Sequence, residues 1–171
     1  MQDNTKPVTV SELLQFFPEV DLPVVFTDET LNVFSCENTP IPNTILQTVI
    51  SKWEGELDEY TEIVPCVLID SNEDYHALVY WKGGLLKYEF ILLTIDAIVE
   101  TPTMISRKVI GSTVTENKII KKSFASIDPD MIIHIIAGAG SAEGEYSADQ
   151  SQAFTIEIQT TGDILFSFGD D

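Results

Sequence analysis

The stretch that decides the fold is Tyr75-His-Ala-Leu-Val-Tyr-Trp-Lys-Gly-Gly-Leu-Leu-Lys-Tyr-Glu-Phe-Ile-Leu-Leu-Thr-Ile-Asp96. Two runs rich in aromatic and branched apolar residues flank a Gly-Gly pair, a pattern typical of a β-hairpin. Glycine accepts the positive φ of a two-residue loop, so Gly83-Gly84 predicts Lys82 opposite Leu85. One face of this hairpin is then free of charge and belongs to a core. The other, semi-polar face carries His76, Leu78, Tyr80, Lys82, Lys87, Glu89, Ile91 and Leu93.

Segments with a period of two continue on both sides of the hairpin. They predict strands near residues 63–69, 75–82, 85–95, 104–110, 118–127, 131–137, 153–160 and 164–168. Helical signals are confined to the N-terminal third. Thr9 and Glu12 have the spacing of a capping box, and apolar residues at helical intervals after Pro42 predict a helix that ends at Gly55. Residues 22–26 and 31–34 are predicted as short strands.

These elements predict one α+β domain over residues 1–171, with two or more short N-terminal helices packed on a strongly curved, mainly antiparallel sheet of about seven to nine strands. Closure of that sheet toward a barrel stays open. Residues 1–7 are expected to be disordered, residues 8–55 to form the helical part and residues 60–171 the antiparallel β-meander. The semi-polar face needs cover, for which the helices are available. If the face were uncovered, it would favour a homodimer.

The segments Tyr75–Lys82, Leu92–Asp96, Val109–Gly111 and Ser126–Asp128 together resemble a pattern of uncharacterised bacterial proteins. In those proteins a short helical N-terminus precedes an antiparallel β-meander. The resemblance covers roughly residues 40–137. It implies the fold given above, and it implies no activity and no site residue.

Charge narrows the classes of partner. The net charge is -19, from 28 Asp and Glu against 9 Lys and Arg. Phosphate backbones and anionic lipid surfaces repel such a chain, so nucleic acid and membranes are not expected partners, and a basic protein is. Residues 1–100 carry -14, residues 101–127 carry +4 and residues 128–171 carry -9. The basic island either pairs with acidic neighbours or marks an anion site; it consists of Arg107, Lys108, Lys118, Lys121 and Lys122.

The compartment is predicted from what the sequence lacks. The N-terminus shows no secretory signal, and no window reaches the roughly 20 apolar residues of a membrane span. Cys36 and Cys66 are too few for a disulfide framework in a chain of this length. The sequence therefore predicts a cytoplasmic protein with reduced thiols.

Familiar catalytic and metal-binding motifs are absent from the sequence, among them GxSxG, HExxH and GxxxxGK[ST]. We expect no catalytic residue, no cofactor and no metal. His134, flanked by isoleucines, is predicted to be a buried neutral imidazole.

Two groups of candidate site residues remain. His76, Tyr80, Lys87 and Glu89 share the semi-polar face, on which His76 is predicted to be a diagonal cross-strand neighbour of Glu89. The four residues could bind a ligand or move protons, or they could simply cover the join between sheet and helices. An acidic run could dock a basic protein, or it could be a solvated helix exit. It consists of Glu54, Glu56, Asp58, Glu59 and Glu62.

The sequence favours a non-catalytic intracellular binding protein over an enzyme. One version is an immunity- or inhibitor-like protein that covers a cationic partner. The alternative is a small-molecule binding protein or weak hydrolase that uses the face of His76, Tyr80, Lys87 and Glu89.

Overall fold

The computed structural model describes residues 6–141 and 152–167, to which the statements below refer. Residues 1–5 of the segment predicted to be disordered lie outside this range, as does Phe168 of the last predicted strand. The first helix, α1 (Val10–Leu14), begins after Thr9. The Thr9 hydroxyl accepts from the Glu12 amide at 3.2 Å, and the Glu12 carboxylate accepts from the Thr9 amide at 3.2 Å. The predicted capping box is confirmed.

The second helix, α2 (Asp28–Glu37), occupies the position of a predicted strand. The strand predicted at residues 31–34 is therefore wrong. Thr27 caps the helix, because its hydroxyl accepts from the Thr30 amide at 3.3 Å. Leu31 and Phe34 lie three residues apart on one helical face, and both pack against the core.

The third helix, α3, spans residues 43–54 and ends at Gly55, as predicted. It is α-helical over Asn43–Ile45 and Ser51–Glu54 and π-helical over Leu46–Ile50. Gly55 has a φ of 80°, which glycine adopts without the penalty that a side chain would bring. The glycine therefore lets the chain leave the helix and turn toward the sheet.

Nine strands form one antiparallel sheet within the described residues, which confirms the predicted sheet. They are β1 (Val24–Phe26), β2 (Glu62–Ser71), β3 (Tyr75–Gly83), β4 (Lys87–Asp96), β5 (Met104–Glu116), β6 (Ile119–Ile127), β7 (Ile133–Ser141), β8 (Gln152–Ile158) and β9 (Ile164–Ser167). Strands β2 to β9 follow one another in the sheet in chain order. Strand β1, from the N-terminal part, pairs with the end of β6 at Ala125–Ile127. There it takes the place of β5, whose pairing with β6 starts only at Ser112.

The two-residue loop predicted at Gly83-Gly84 is wrong. Gly83 remains in β3 opposite Tyr88, and the connection is made by residues 84–86. A Cβ on Gly83 would collide with the ring of Trp81, so the glycine is required by packing inside the strand and not by a turn. The observed register differs from the predicted one by four residues, which is an even number, so every side chain keeps its predicted face.

The sheet curls on itself without closing. In a flat sheet β4 and β9 would lie about 24 Å apart, because neighbouring strands are about 4.8 Å apart. Instead, the hydroxyl of Thr94 on β4 donates to the carbonyl oxygen of Gly162, in the turn before β9, at 2.6 Å. Within the described residues no ladder joins β9 to β2. The sheet therefore does not close into a barrel, which is the alternative that the sequence had left open.

Two hydrophobic clusters lie on opposite faces of β3 and β4. The helix-side cluster combines residues of α1 and α3 with the semi-polar face of the hairpin, and includes Leu13, Ile50, Leu78, Tyr80, Ile91 and Leu93. The inner cluster fills the curl of the sheet, and includes Phe26, Val79, Leu92, Ala125, Ile127, Ile133, Ile135 and Ile156. Since the helices cover the apolar residues of the semi-polar face, it does not offer the uncovered surface on which the homodimer prediction rested.

Candidate functional site

A cluster of polar side chains lies where α3 meets the sheet. Glu54, the last residue of α3, has a side chain only 1% exposed. Arg107 on β5 binds both carboxylate oxygens, with Nε 2.9 Å from Oε1 and Nη2 2.9 Å from Oε2. Lys82 on β3 places Nζ 3.0 Å from Oε2, and the Tyr80 hydroxyl donates a hydrogen bond to Oε1. We call these four residues the Glu54 cluster.

The fold brings these side chains together from three elements. Tyr80 and Lys82 are two residues apart on β3, so they point to the same face, which is the face covered by the helices. Arg107 reaches this face from β5, where it lies opposite Leu93 of the intervening strand β4. A negative charge at the C-terminus of a helix is disfavoured by the helix dipole. The hydrogen bonds from Arg107, Lys82 and Tyr80 therefore stabilise the Glu54 carboxylate at this position.

The pKa values in the cluster follow from burial and from these bonds. Burial acts to raise the pKa of the Glu54 carboxyl, but hydrogen bonds from Arg107, Tyr80 and Lys82 outweigh it and hold the pKa below the ordinary 4.5. Burial and the charge of Glu54 raise the pKa of Tyr80. Burial acts to lower the pKa of Arg107, yet its bond to Glu54 raises it overall. At neutral pH the cluster therefore holds a carboxylate, a guanidinium and a protonated phenol.

The Glu54 cluster is built as a clamp and not as a proton-transfer site. A carboxylate offers about four lone-pair sites, and four donor groups of Arg107, Lys82 and Tyr80 occupy them. A general base needs a free acceptor within reach of its substrate. Glu54 has none to spare, so its role is to hold α3 against β3 and β5.

The four predicted ligand-binding residues do not meet in one place. Tyr80 is buried on Glu54. The ring of His76 pairs through Nδ1 with the Ser71 hydroxyl, and Lys87 Nζ lies 3.6 Å from Glu89 Oε1. His76 lies opposite Ile95, whereas Glu89 lies opposite Lys82, six residues further along β3. At about 3.3 Å per residue, His76 and Glu89 are about 20 Å apart, so the predicted diagonal contact between them is wrong.

The predicted acidic run divides into one buried residue and four exposed ones. Glu54 is enclosed in its cluster and is not available to a partner, which corrects its place in the predicted docking patch. The other four acids are exposed, in the connection from α3 to β2 and at the start of β2. Sequence reasoning missed Tyr60, which stands among them with 57% of its surface exposed. We call Glu56, Asp58, Glu59, Tyr60 and Glu62 the acidic loop.

The basic island does not act as one unit. Arg107 belongs to the Glu54 cluster, Lys122 Nζ lies 3.5 Å from Asp28 Oδ2, and Lys108 Nζ sits 3.9 Å from the centre of the Phe166 ring. Within the described residues, Lys118 and Lys121 form no ion pair. Internal pairing thus accounts for part of the island and leaves two lysines unexplained.

The second histidine, His134, is bonded to an acid, unlike His76. His134 Nε2 lies 2.9 Å from Asp128 Oδ2, and the His134 side chain is 45% exposed. The prediction of a buried imidazole is wrong, because the outer face of β7 is open to solvent, as the exposure of Ile136 shows. The hydrogen bond from His134, with those from the backbone amides of Ile132 and Asp130, lowers the pKa of Asp128.

Three further observations concern the nature of the site. No protein-family model, curated protein or solved structure matches this chain. Over residues 6–141 and 152–167, His, Cys, Asp and Glu side chains do not gather in a group of three that could hold a metal ion. In the same part of the chain every helix is too short or too polar to cross a bilayer.

Proposed function

We propose that the protein is a non-catalytic binding protein whose partner is basic, and that the acidic loop is its docking surface. The observation that carries this proposal is that Glu56, Asp58, Glu59 and Glu62 are exposed together and form no ion pair within the described part of the chain. Grouped charges of one sign speed the association of a partner with the opposite charge.

Local hydrogen bonds constrain part of the acidic loop, which supports a role in recognition. Asp58 Oδ1 accepts from the Tyr60 amide at 2.9 Å and from the Thr61 hydroxyl at 2.9 Å. An ordered loop loses less conformational entropy when it binds a partner. Tyr60 adds an exposed aromatic ring at the middle of the loop, and tyrosine is enriched among the residues that dominate interface energies.

The distribution of cations supports the same proposal. Four of the chain's nine cationic residues are bound to the chain's own carboxylates, namely Lys82, Lys87, Arg107 and Lys122. Those bonds occupy only the carboxylates of Glu54, Glu89 and Asp28. The large excess of acid therefore remains uncompensated, as expected for a protein that covers a cationic surface.

We place this function in the cytoplasm and regard an immunity- or inhibitor-like role as its most concrete form. Cys36 and Cys66 are free, and burial raises the pKa of Cys66, which keeps its thiol protonated and unreactive. Free thiols suit a reducing compartment. The alternative of a small-molecule binding protein or weak hydrolase on the face of His76 has less support, because the proposed proton-transfer partner Glu89 is about 20 Å away.

The proposal predicts that neutralising the acidic loop removes partner capture. In the variant Glu56→Gln, Glu59→Gln, Glu62→Gln, three charges are lost from side chains that make no ion pair within residues 6–141 and 152–167. We expect the wild-type chain to capture a basic protein from native lysate. With that protein purified, the variant should associate about tenfold more slowly at low ionic strength, and added salt should erase the difference.

A second triple variant controls for net charge. Glu73→Gln, Glu100→Gln, Glu116→Gln removes the same charge from exposed positions outside the acidic loop. It should associate with the same partner nearly as fast as the wild-type chain. Equal losses in both triple variants, or capture of no basic protein by the wild-type chain, would contradict the proposal.

A further inference from the structure

We propose that a groove on the curled sheet binds a small organic carboxylate with an aromatic or branched apolar body. The site is a groove of about 470 Å³ on strands β5 to β8. Pockets that bind small molecules have volumes of this order, commonly about 300 to 1,000 Å³. The groove is separate from the Glu54 cluster and from the acidic loop, so it does not depend on the function proposed above.

A row of small side chains forms the floor of the groove. Ser112 lies opposite Ser123, Ser123 opposite Ala137, and Ala137 opposite Gln152, so the row crosses four neighbouring strands. All four residues line the groove. The two serine hydroxyls are 3.2 Å apart and form one hydrogen bond to each other. Each hydroxyl has further capacity as an acceptor, so the floor can bond a polar group of a ligand.

The groove becomes apolar on one side of this floor. The next row contains Ile135 opposite Phe154, on the same face as the floor because side chains alternate along a strand. Ile135 belongs to the inner cluster, whereas Phe154 is 36% exposed and lines the groove. The ring of Phe154 also contacts that of Phe166, with centroids 5.8 Å apart. An aromatic or branched apolar group would find a matching wall here.

The groove becomes cationic on the other side of the floor. Lys121 is two residues from Ser123 on β6, so it shares the same face, and it is exposed. Lys122 also lines the groove, though its Nζ is engaged with Asp28 at 3.5 Å. Among the described residues that line the groove there is no Asp or Glu, although the chain has 28 of them. A chain of net charge -19 thus presents a local site for an anion.

The polar floor, the apolar side and the cationic side of the groove together select the ligand. A carboxylate would bond Lys121, a polar group would lie over the serine pair, and the apolar body would contact Phe154 and Ile135. A single lysine that forms no ion pair within the described residues suits a monoanion, whereas phosphate sites commonly use bidentate arginine or several backbone amides. The unexplained Lys121 of the basic island thereby gains a function.

The test uses the full chain, with phenylbutyrate as the probe and phenylbutanol as its uncharged analogue. In amide NMR titrations we expect saturable shifts at Ser112, Ser123 and Ala137, with phenylbutyrate binding more tightly than the alcohol. Lys121→Gln should raise the Kd for phenylbutyrate about tenfold, because it removes a charged hydrogen-bond donor, and should leave the Kd for phenylbutanol unchanged.

Two further variants keep this test decisive. Lys118→Gln removes the same charge from the neighbouring β5–β6 turn, outside the groove, and should leave both Kd values unchanged. Ala137→Leu should fill the floor and abolish binding of both compounds, with an unchanged near-ultraviolet circular dichroism spectrum as the check on folding. Shifts that map elsewhere, equal effects of Lys118→Gln and Lys121→Gln, or no binding at millimolar concentration would overturn the proposal.

Discussion

Replacement of Arg107 by methionine is expected to lower the free energy of unfolding at neutral pH by about 3 to 5 kcal/mol, because it leaves a buried carboxylate without its main partner. The Glu54 side chain is 1% exposed, and Arg107 supplies two of the four bonds to its oxygens. Methionine keeps much of the aliphatic volume of arginine, so the loss reports on charge and hydrogen bonding more than on packing. Chemical denaturation of wild type and variant measures it.

A matched ion pair on the same sheet provides the control. Lys87 Nζ lies 3.6 Å from Glu89 Oε1, and the Lys87 side chain is 59% exposed. Lys87→Met should therefore cost less than about 1 kcal/mol, as exposed ion pairs commonly do. Equal costs for Arg107→Met and Lys87→Met would mean that the Glu54 cluster is not the clamp inferred from its geometry.

The pH dependence of the free energy of unfolding of Arg107→Met separates the loss of the ion pair from a general loss of packing. The folded-state pKa of Glu54 lies below 4.5, so its contribution to stability is present above that pH and is lost as pH falls through the lower, folded-state value. In Arg107→Met we expect burial to dominate and to raise the pKa of Glu54 above 4.5, so protonation then stabilises the folded variant. The difference in stability between wild type and variant should shrink from neutral pH to pH 4.5. A difference that stays constant over this range would exclude the electrostatic origin.

The sequence was informative wherever the determinants of structure lie within a few residues of one another. The capping box of Thr9 and Glu12 and the exit at Gly55 fix helix ends through local bonds and local φ values, and both were predicted. The faces of the β3–β4 hairpin were also predicted, although the loop was not. An error of four residues in register is even, so the alternation of faces is unaffected. The loop itself could not be predicted, because Gly83 is required by the ring of Trp81 and not by a turn.

Glu54 shows why the site was harder to predict than the fold. It stands in a run of five acids within nine residues, and its residue type does not distinguish it from its exposed neighbours. Its main partner, Arg107, is 53 residues away in sequence and meets it only after α3 has packed on the sheet. One local signal was available: Glu54 lies four residues after the fully buried Ile50, on the same face of the helix.

The position of β1, a strand of only three residues, likewise depends on contacts with residues far away in sequence. Its position at the edge of β6 depends on the divergence of β5 from β6, which no local pattern records. Phe26 is a fully buried residue of this strand, and its ring centroid lies 5.5 Å from that of Phe90 and 6.3 Å from that of Phe34. Phe26 thus joins β1 to β4 and to α2, and it anchors this strand in the inner cluster together with the buried Val24.

Phe26→Ala is expected to lower the free energy of unfolding by about 3 to 5 kcal/mol, the usual cost of a cavity left by a buried phenylalanine. Val25→Ala, in the same strand, is the control, because Val25 is 45% exposed and should cost less than about 1 kcal/mol. Denaturation curves measure both losses. Hydrogen exchange adds a local measurement, since the amides of Ala125 and Ile127 should exchange faster in Phe26→Ala if β1 detaches from the edge of β6. Similar losses in the two variants would show that backbone pairing, and not the buried ring, holds β1 in the sheet.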